Sequence, residues 1–200
     1  KGKEYPFADL DRFFSGSDVT LANIEGPFTN FPPKALDPNN TTFTFDPKLA
    51  PYLKKLGFSM TSLANNHTLD FGAEGLKQTK NILQEADIES FGDPKNISNT
   101  TIKNIRGKKI AFIGYHEFAH TPLAQTVQEI QNAEKEADFT IVMPHWGVEY
   151  TDQPSQNQND AAHAFIDAGA DLILGAHPHV IQPIEIYKEN DKLFIKLKIK

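Results

Sequence analysis

The sequence contains no cysteine among its 200 residues. Disulfide scaffolds, thiolate zinc sites and cysteine nucleophiles are therefore excluded, while the redox compartment stays open. No apolar run approaches the roughly 20 residues needed to span a bilayer. Glycine-rich phosphate loops, the G-x-S-x-G nucleophile motif and nucleotide-binding fingerprints are also missing. Any metal bound by this chain must be held by nitrogen and oxygen ligands.

Basic residues are in the minority, since 20 Lys and Arg stand against 26 Asp and Glu for a net charge of −6. This balance argues against sequence-independent nucleic-acid binding, which needs cationic side chains to displace counterions. The hydrophobic fraction of 39% is sufficient for a globular core. The length predicts one domain over residues 1–200, and we expect it to be part of a somewhat longer domain because the final alternating run stops inside a predicted strand.

Short apolar runs alternate with amphipathic stretches along the chain. Strands are predicted over Asp18–Ile24, Gly57–Leu63, Lys108–Gly114, Asp138–Met143, Asp171–Gly175 and Val180–Tyr187, and from Lys192 onward. Helices are predicted over Phe7–Phe14, Pro47–Leu56, Ala73–Ala86, Leu123–Ala137 and Asn157–Ala168. This alternation predicts an α/β domain with a largely parallel central sheet. Ligands of such sheets bind at the carboxyl ends of the strands.

Histidines gather at that edge of the predicted sheet. Five of the seven follow a predicted strand within a few residues: His67, His116, His145, His177 and His179. Histidines scattered over the surface by chance would not favour one edge. The pattern therefore predicts a functional site there.

The His177-Pro178-His179 triplet is the strongest single signal for a metal site. Proline fixes its own φ and favours an extended conformation of the preceding residue, so we expect both imidazoles to be held stiffly. Neutral imidazole binds zinc, iron, nickel and copper. Two ordinary loop histidines are the alternative, and the additional strand-end histidine His145 favours metal binding.

A second set of polar side chains follows the predicted strand that ends at residue 63. The Asn65 and Asn66 oxygens can bind a metal, His67 can act as a general acid, and Asp70 can orient its imidazole. The alternative is that these residues cap and turn the chain before the next helix. Glu25 is a carboxylate able to bridge two cations, although on its own it is a loop glutamate.

Other conspicuous residues have structural interpretations. Residues 116–120 match H-E-x-x-H, but that zinc-protease pattern works on a helix, and Pro122 leaves no room for one. Trp146, beside His145, fits a pocket wall and a core residue equally well. His163 lies mid-helix and is interpreted as structural or exposed.

Four motifs occur in the order and spacing of the poly-gamma-glutamate capsule biosynthesis family of CapA type, which is similar to the calcineurin-like metallophosphatases. They are Asn23–Pro27, Asn65–Gly72, His145–Tyr150 and Gly175–Gln182. The resemblance covers essentially the whole chain and implies a four-layer α/β/β/α sandwich. It also implies a first strand ending in Gly-Asp and a further C-terminal segment, neither of which is found at the matching place in this sequence.

The resemblance implies a role for each matched residue. The metal ligands would be Glu25, Asn66, His145, His177 and His179. The catalytic residue next to the leaving group would be His67, with Asp70, from the residue pattern itself, as the carboxylate that orients it. The substrate-binding residues would be Asn23, Asn65, Trp146, Glu149 and Tyr150. The cofactor would be one or two divalent ions of manganese, zinc or iron.

Two functions follow as expectations. The first is a metal-dependent phosphomonoesterase or phosphodiesterase, in which two cations hold the substrate and activate water. The second is a non-hydrolytic component of capsule synthesis or export that binds an anionic polymer. The resemblance also implies the outer face of a bacterial membrane, with any anchor outside this segment and a membrane capsule-synthesis complex as partner.

Overall fold

The computed structural model describes residues 14, 16–31, 41–95, 97, 99–119 and 122–187. The chain divides into two compact units, Lys1–Ser90 and Phe91–Lys200. The described residues form an α/β structure, which confirms the predicted fold class, whereas the four-layer arrangement and the single domain stay predictions. The predicted helix over residues 7–14, except for Phe14, and the predicted strand from Lys192 lie outside the described residues.

In the first unit, the described residues form a three-stranded sheet and two helices. Its elements are β1 (Leu21–Asn23), α1 (Leu49–Lys55), β2 (Met60–Ser62), α2 (Gly72–Glu85) and β3 (Glu89–Phe91). The sheet order is β1-β2-β3, and β1 runs parallel to β2. Residues that follow β1 and β2 therefore lie at the same edge of this sheet.

A cluster of apolar side chains fills the first unit. On α2, Gly75, Thr79 and Leu83 are buried at four-residue intervals, which is the spacing of one helix face. Leu83 packs in the same cluster as Phe28 and Leu63. This core fixes the ends of β1 and β2, from which the polar residues project.

The part of the second unit that the structure describes has a four-stranded sheet and two α-helices. Its elements are β4 (Thr100–Ile105), β5 (Lys108–His116), α3 (Leu123–Ala133), β6 (Phe139–His145), α4 (Gln156–Asp167) and β7 (Leu172–Ile173). The sheet order is β4-β5-β6-β7, with β4 antiparallel to β5 and the remaining pairs parallel. The carboxyl ends of β5, β6 and β7 consequently meet at one edge.

Two local features position this edge. The cluster around Val142, Ile130 and Phe165 packs α3 and α4 against the sheet. At the start of α4, the Ser155 hydroxyl accepts the Gln158 N–H at 3.2 Å, and Gln158 Oε1 accepts the Ser155 N–H at 3.0 Å. This reciprocal capping box satisfies two N–H groups that the helix itself leaves unpaired.

Two strands among the described residues, β3 and β4, were not predicted. The described strands form two sheets, whereas the alternation of elements predicted one central sheet and the family resemblance implied two. β4 contains Lys and Asn, which are depleted in strands, so its composition hides it. It forms by pairing with β5 through the turn at Arg106 and Gly107, whose φ values are 51° and 83°. Positive φ at both turn residues is the geometry that matches the twist of a two-residue hairpin.

The predicted strand over Val180–Tyr187 is wrong, because those described residues form no strand. Pro183 has no N–H to donate to a ladder. The Gln182 side chain is instead buried, accepting from Gln158 Nε2 at 3.1 Å and donating to the Thr151 carbonyl at 3.0 Å. The apolar side chains that suggested a strand, Ile181, Ile184 and Ile186, are exposed.

The element boundaries also differ from prediction. Helix α1 begins at Leu49 rather than Pro47. Helix α3 ends at Ala133 rather than Ala137, and the three residues after Ala133 are charged. Strands β5 and β6 continue for two residues past their predicted ends and finish on histidines. Among the described residues, no helix is long and apolar enough to cross a bilayer.

Candidate metal centre and catalytic residues

Four histidines form a row along the carboxyl edge of the second unit's sheet. The β5–β6 register pairs His116 with His145, and an isolated bridge pairs His145 with Ala176, next to His177. Successive ring centres in this histidine row (His116, His145, His177 and His179) lie 6.0, 4.7 and 6.0 Å apart. Parallel pairing of neighbouring strands is what brings them together.

The spacing of the histidine row suits metal coordination. Two imidazoles bound to one ion at about 2.0–2.1 Å hold their ring centres roughly 4.5–6 Å apart, depending on the angle at the metal. Each successive pair falls within that range, and ring nitrogens of His177 and His179 lie within 4.8 Å of each other. Imidazole suits zinc, iron, nickel and copper, whereas manganese favours oxygen ligands. The donor set therefore fits a divalent ion.

The backbone at His177 and His179 is strained. Their φ values are 93° and 53°, so the extended conformation expected for His177 is wrong. Between these two residues, the Pro178 carbonyl accepts the Tyr150 N–H at 2.7 Å, which ties two loops together. Left-handed backbone costs about 1–2 kcal/mol in a residue other than glycine. Strain of this kind clusters at functional sites.

Trp146 supports this edge from the core. It is 1% exposed, and its ring lies parallel to that of Phe165 with centres 6.3 Å apart. A Cβ at Gly175 would approach the indole Nε1 to 2.8 Å, so the chain passes close to the tryptophan. Its burial agrees with the core alternative that the sequence left open, while its contact with substrate stays a prediction.

Glu117 holds the loop that follows β6, a role the sequence analysis missed. It sits in a single 3-10 turn over Glu117–Ala119, and its Oε2 accepts the Gly147 N–H at 2.7 Å. The turn is too short to be the helix of a zinc protease, and His120 lies outside the described residues. Burial raises the pKa of Tyr115, and the Glu117 charge raises it further. The sequence did carry a signal for Glu117, because it is an acidic residue directly after the histidine that ends β5.

Aromatic side chains border the histidine row on its exposed side. The Tyr150 ring stacks on His179 with centres 5.8 Å apart and is 74% exposed. Phe118, also missed by the sequence analysis, meets His177 edge-on at 5.0 Å and is exposed. Glu149 is exposed in the same loop as Tyr150. These side chains are accessible to a ligand at the row.

In the first unit, the Asn65 side chain connects the loops that follow β1 and β2. It is 1% exposed. Its Nδ2 donates to the Ile24 carbonyl at 2.8 Å and to Asn23 Oδ1 at 3.1 Å, while its Oδ1 accepts the His67 N–H at 3.1 Å. The amide thus fixes the loops after both strands. Its predicted contact with substrate stays a prediction.

His67 and Asp70, predicted as a general acid and its orienting partner, form a hydrogen-bonded pair, and their catalytic roles stay predictions. Asp70 Oδ2 accepts from His67 Nδ1 at 2.9 Å and from the Phe43 N–H at 2.6 Å. A carboxylate cannot donate, so Nδ1 carries a proton and Nε2 is the nitrogen left for proton transfer. The Phe43 ring packs on the imidazole with centres 4.3 Å apart, which restricts its rotation.

Three further predicted site residues, apart from Asn65, belong to this unit: Asn23, Glu25 and Asn66. Asn66 is exposed, whereas Asn23 and Glu25 are half-buried. Asn23 Nδ2 donates to Glu25 Oε2 at 3.4 Å. The structure thus brings Asn23, Glu25 and Asn65 together at the edge where β1 ends.

In the second unit, His163 Nε2 lies 2.8 Å from Glu185 Oε1. This pair agrees with the structural interpretation of His163.

The fold and the histidine row define an α/β protein with a histidine-rich site at the carboxyl ends of parallel strands. Residues 1–195 match the family described as bacterial capsule synthesis protein PGA_cap. The chain belongs to that family, which confirms the resemblance inferred from the four motifs.

Individual relatives agree with the family assignment. The chain is 30% identical to the capsule biosynthesis protein CapA of Bacillus anthracis, covering 94% of this chain and 51% of that protein. It is 29% identical to the PGA biosynthesis protein CapA of Bacillus subtilis, covering 94% and 54%. A probable polyglutamine synthesis accessory protein of Mycobacterium tuberculosis is 27% identical, with 90% and 54% covered. The chain thus spans about half the length of these curated relatives.

A solved structure supports the fold. The crystal structure of a hypothetical protein from Thermus thermophilus superposes with a TM-score of 0.58 at 17% identity. The match covers 94% of this chain and 67% of that chain. At this identity the likeness shows the α/β fold alone.

Proposed function

We propose that the protein is a metal-dependent phosphoesterase acting in capsule or poly-gamma-glutamate biosynthesis, with its cation held at the histidine row. The observation that carries the proposal is the spacing of His145, His177 and His179, together with the strained backbone of the last two. Backbone strain of this size has a physical rationale if it positions the two imidazoles to bind one metal ion. The relatives' names supply the capsule context.

The proposed chemistry assigns a separate task to each group. A divalent cation, once bound, supplies a Lewis acid for a phosphoryl oxygen. His67 delivers a proton from Nε2 to the leaving oxygen, because Asp70 holds Nδ1 and keeps the ring oriented. Glu149 and Tyr150 contact the substrate, and their exposure is compatible with that role.

The remaining assignments enter the proposal from the motif match. Glu25 and Asn66 are proposed as further metal ligands, and Asn23, Asn65 and Trp146 as residues that shape the substrate site. One or two ions of manganese, zinc or iron are proposed as the cofactor. The proposed substrate is a phosphoester or an anionic polymer, and the proposed location is the outer face of a bacterial membrane in a capsule-synthesis complex.

The deciding experiment measures bound metal and the manganese-dependent hydrolysis of an aryl phosphate by the purified chain. His177→Ala is expected to lower turnover to background, because it removes a proposed metal ligand. His163→Ala is the matched control, since His163 lies on α4 and pairs with Glu185, and it should keep wild-type turnover. Full activity of His177→Ala would refute the assignment. Polymer binding without metal or turnover would favour the non-hydrolytic alternative.

A further inference from the structure

We propose that His116 is an additional metal ligand, sharing a cation with His145. This inference rests on the proposed function, because it adds a residue to the same centre. The sequence analysis assigned His116 no ligand role, and it lies outside the four matched motifs. The assignment comes from its tautomer, its burial and its position in the sheet.

The hydrogen bond of His116 fixes which ring nitrogen carries the lone pair. Nδ1 lies 2.9 Å from the Pro94 carbonyl oxygen. A carbonyl only accepts, so Nδ1 is the donor, and the neutral ring has its lone pair on Nε2. Histidines that bind metals commonly donate their other ring nitrogen to a backbone carbonyl in this way, which holds the ring in place.

The position of His116 brings this ring to the site. It ends β5 in register with His145 at the end of β6, and side chains of register partners on parallel strands project from the same face. The two ring centres are 6.0 Å apart with planes inclined at 70°. That separation is at the wide end of the range for two imidazoles on one ion.

The burial of His116 and His145 bears on how a cation would interact with them. His116 is 6% exposed and His145 is 1% exposed. A cation held between two buried imidazoles would be largely shielded from water, where its electrostatic attraction to their nitrogens is stronger. His177 lies 4.7 Å from His145, ring centre to ring centre, so the row offers ligand spacing on both sides of His145.

The test compares zinc binding by wild type, His116→Phe and His163→Phe, using a competing chromophoric chelator and metal analysis per chain. Phenylalanine keeps a ring at the position and removes the nitrogens, while the His163 variant makes the same change away from the row. His116→Phe is expected to bind at least one ion about 10-fold or more weakly, or to lose one ion. His163→Phe should match wild type.

A second measurement does not depend on the variant folding. Long-range proton–nitrogen spectra of the wild-type chain with labelled histidine should show His116 protonated at Nδ1 without metal. Its Nε2 resonance should shift when zinc is added.

The outcomes separate the two proposals. If wild type binds zinc, but His116→Phe matches it or His116 Nε2 does not respond, the His116 assignment is overturned while the metal centre stands. If wild type binds neither zinc nor manganese, both proposals fail.

Discussion

Replacing Asn65 by alanine should destabilise the protein far more than the same change at Asn66. The Asn65 amide is buried and pairs with the Ile24 carbonyl, Asn23 Oδ1 and the His67 N–H. Alanine would leave the Ile24 carbonyl and the His67 N–H without their partner. A buried polar group left unsatisfied costs about 1–3 kcal/mol, so the two together predict a loss of about 2–6 kcal/mol.

The assay is urea unfolding of both variants in a buffer with a chelator, so that metal binding does not contribute to stability. Asn66 is exposed, and Asn66→Ala should stay within about 0.5 kcal/mol of wild type. Two adjacent asparagines thus provide their own control. A loss below about 0.5 kcal/mol for Asn65→Ala, or equal losses for the two variants, would refute the view of Asn65 as a structural hub.

Two further predictions concern a catalytic partner and a helix cap. Asp70→Asn removes the carboxylate that accepts a hydrogen bond from His67 Nδ1. The kcat should therefore fall about 10-fold or more with little change in KM. Unchanged steady-state kinetics would contradict the proposed role of Asp70. Ser155→Ala removes half of the α4 capping box and should lower the free energy of unfolding by about 1 kcal/mol in urea, whereas Ser155→Asn, which can still cap, should retain most of it.

Much of the site could be predicted because its signals are local in the sequence. An apolar run followed at once by a polar residue marks the end of a strand, and parallel strands place such ends at one edge. This reasoning found His145, His177 and His67 from the sequence alone. It missed Glu117 and Phe118, since their contacts with the loop at Gly147 and with His177 join distant parts of the chain.

Some local rules were overridden by contacts with other segments. Proline at 178 favours an extended His177, yet the hydrogen bond from Tyr150 to the Pro178 carbonyl accompanies a φ of 93°. The alternation over residues 180–187 favours a strand, yet Pro183 and the buried Gln182 prevent pairing. Local preferences of this kind amount to about 1 kcal/mol, and one well-placed tertiary hydrogen bond is of the same size.

The sequence by itself determined the family, the α/β class and the edge on which the polar residues fall, because these depend on composition, motif spacing and local hydrophobic pattern. It also determined that any metal must be held by nitrogen and oxygen, since there is no cysteine. Only the tertiary structure decided that Trp146 is buried, that Asn65 is fully engaged and that His116 stands beside His145. Those facts depend on which strands pair and in what register, and pairing joins residues that are far apart in the chain.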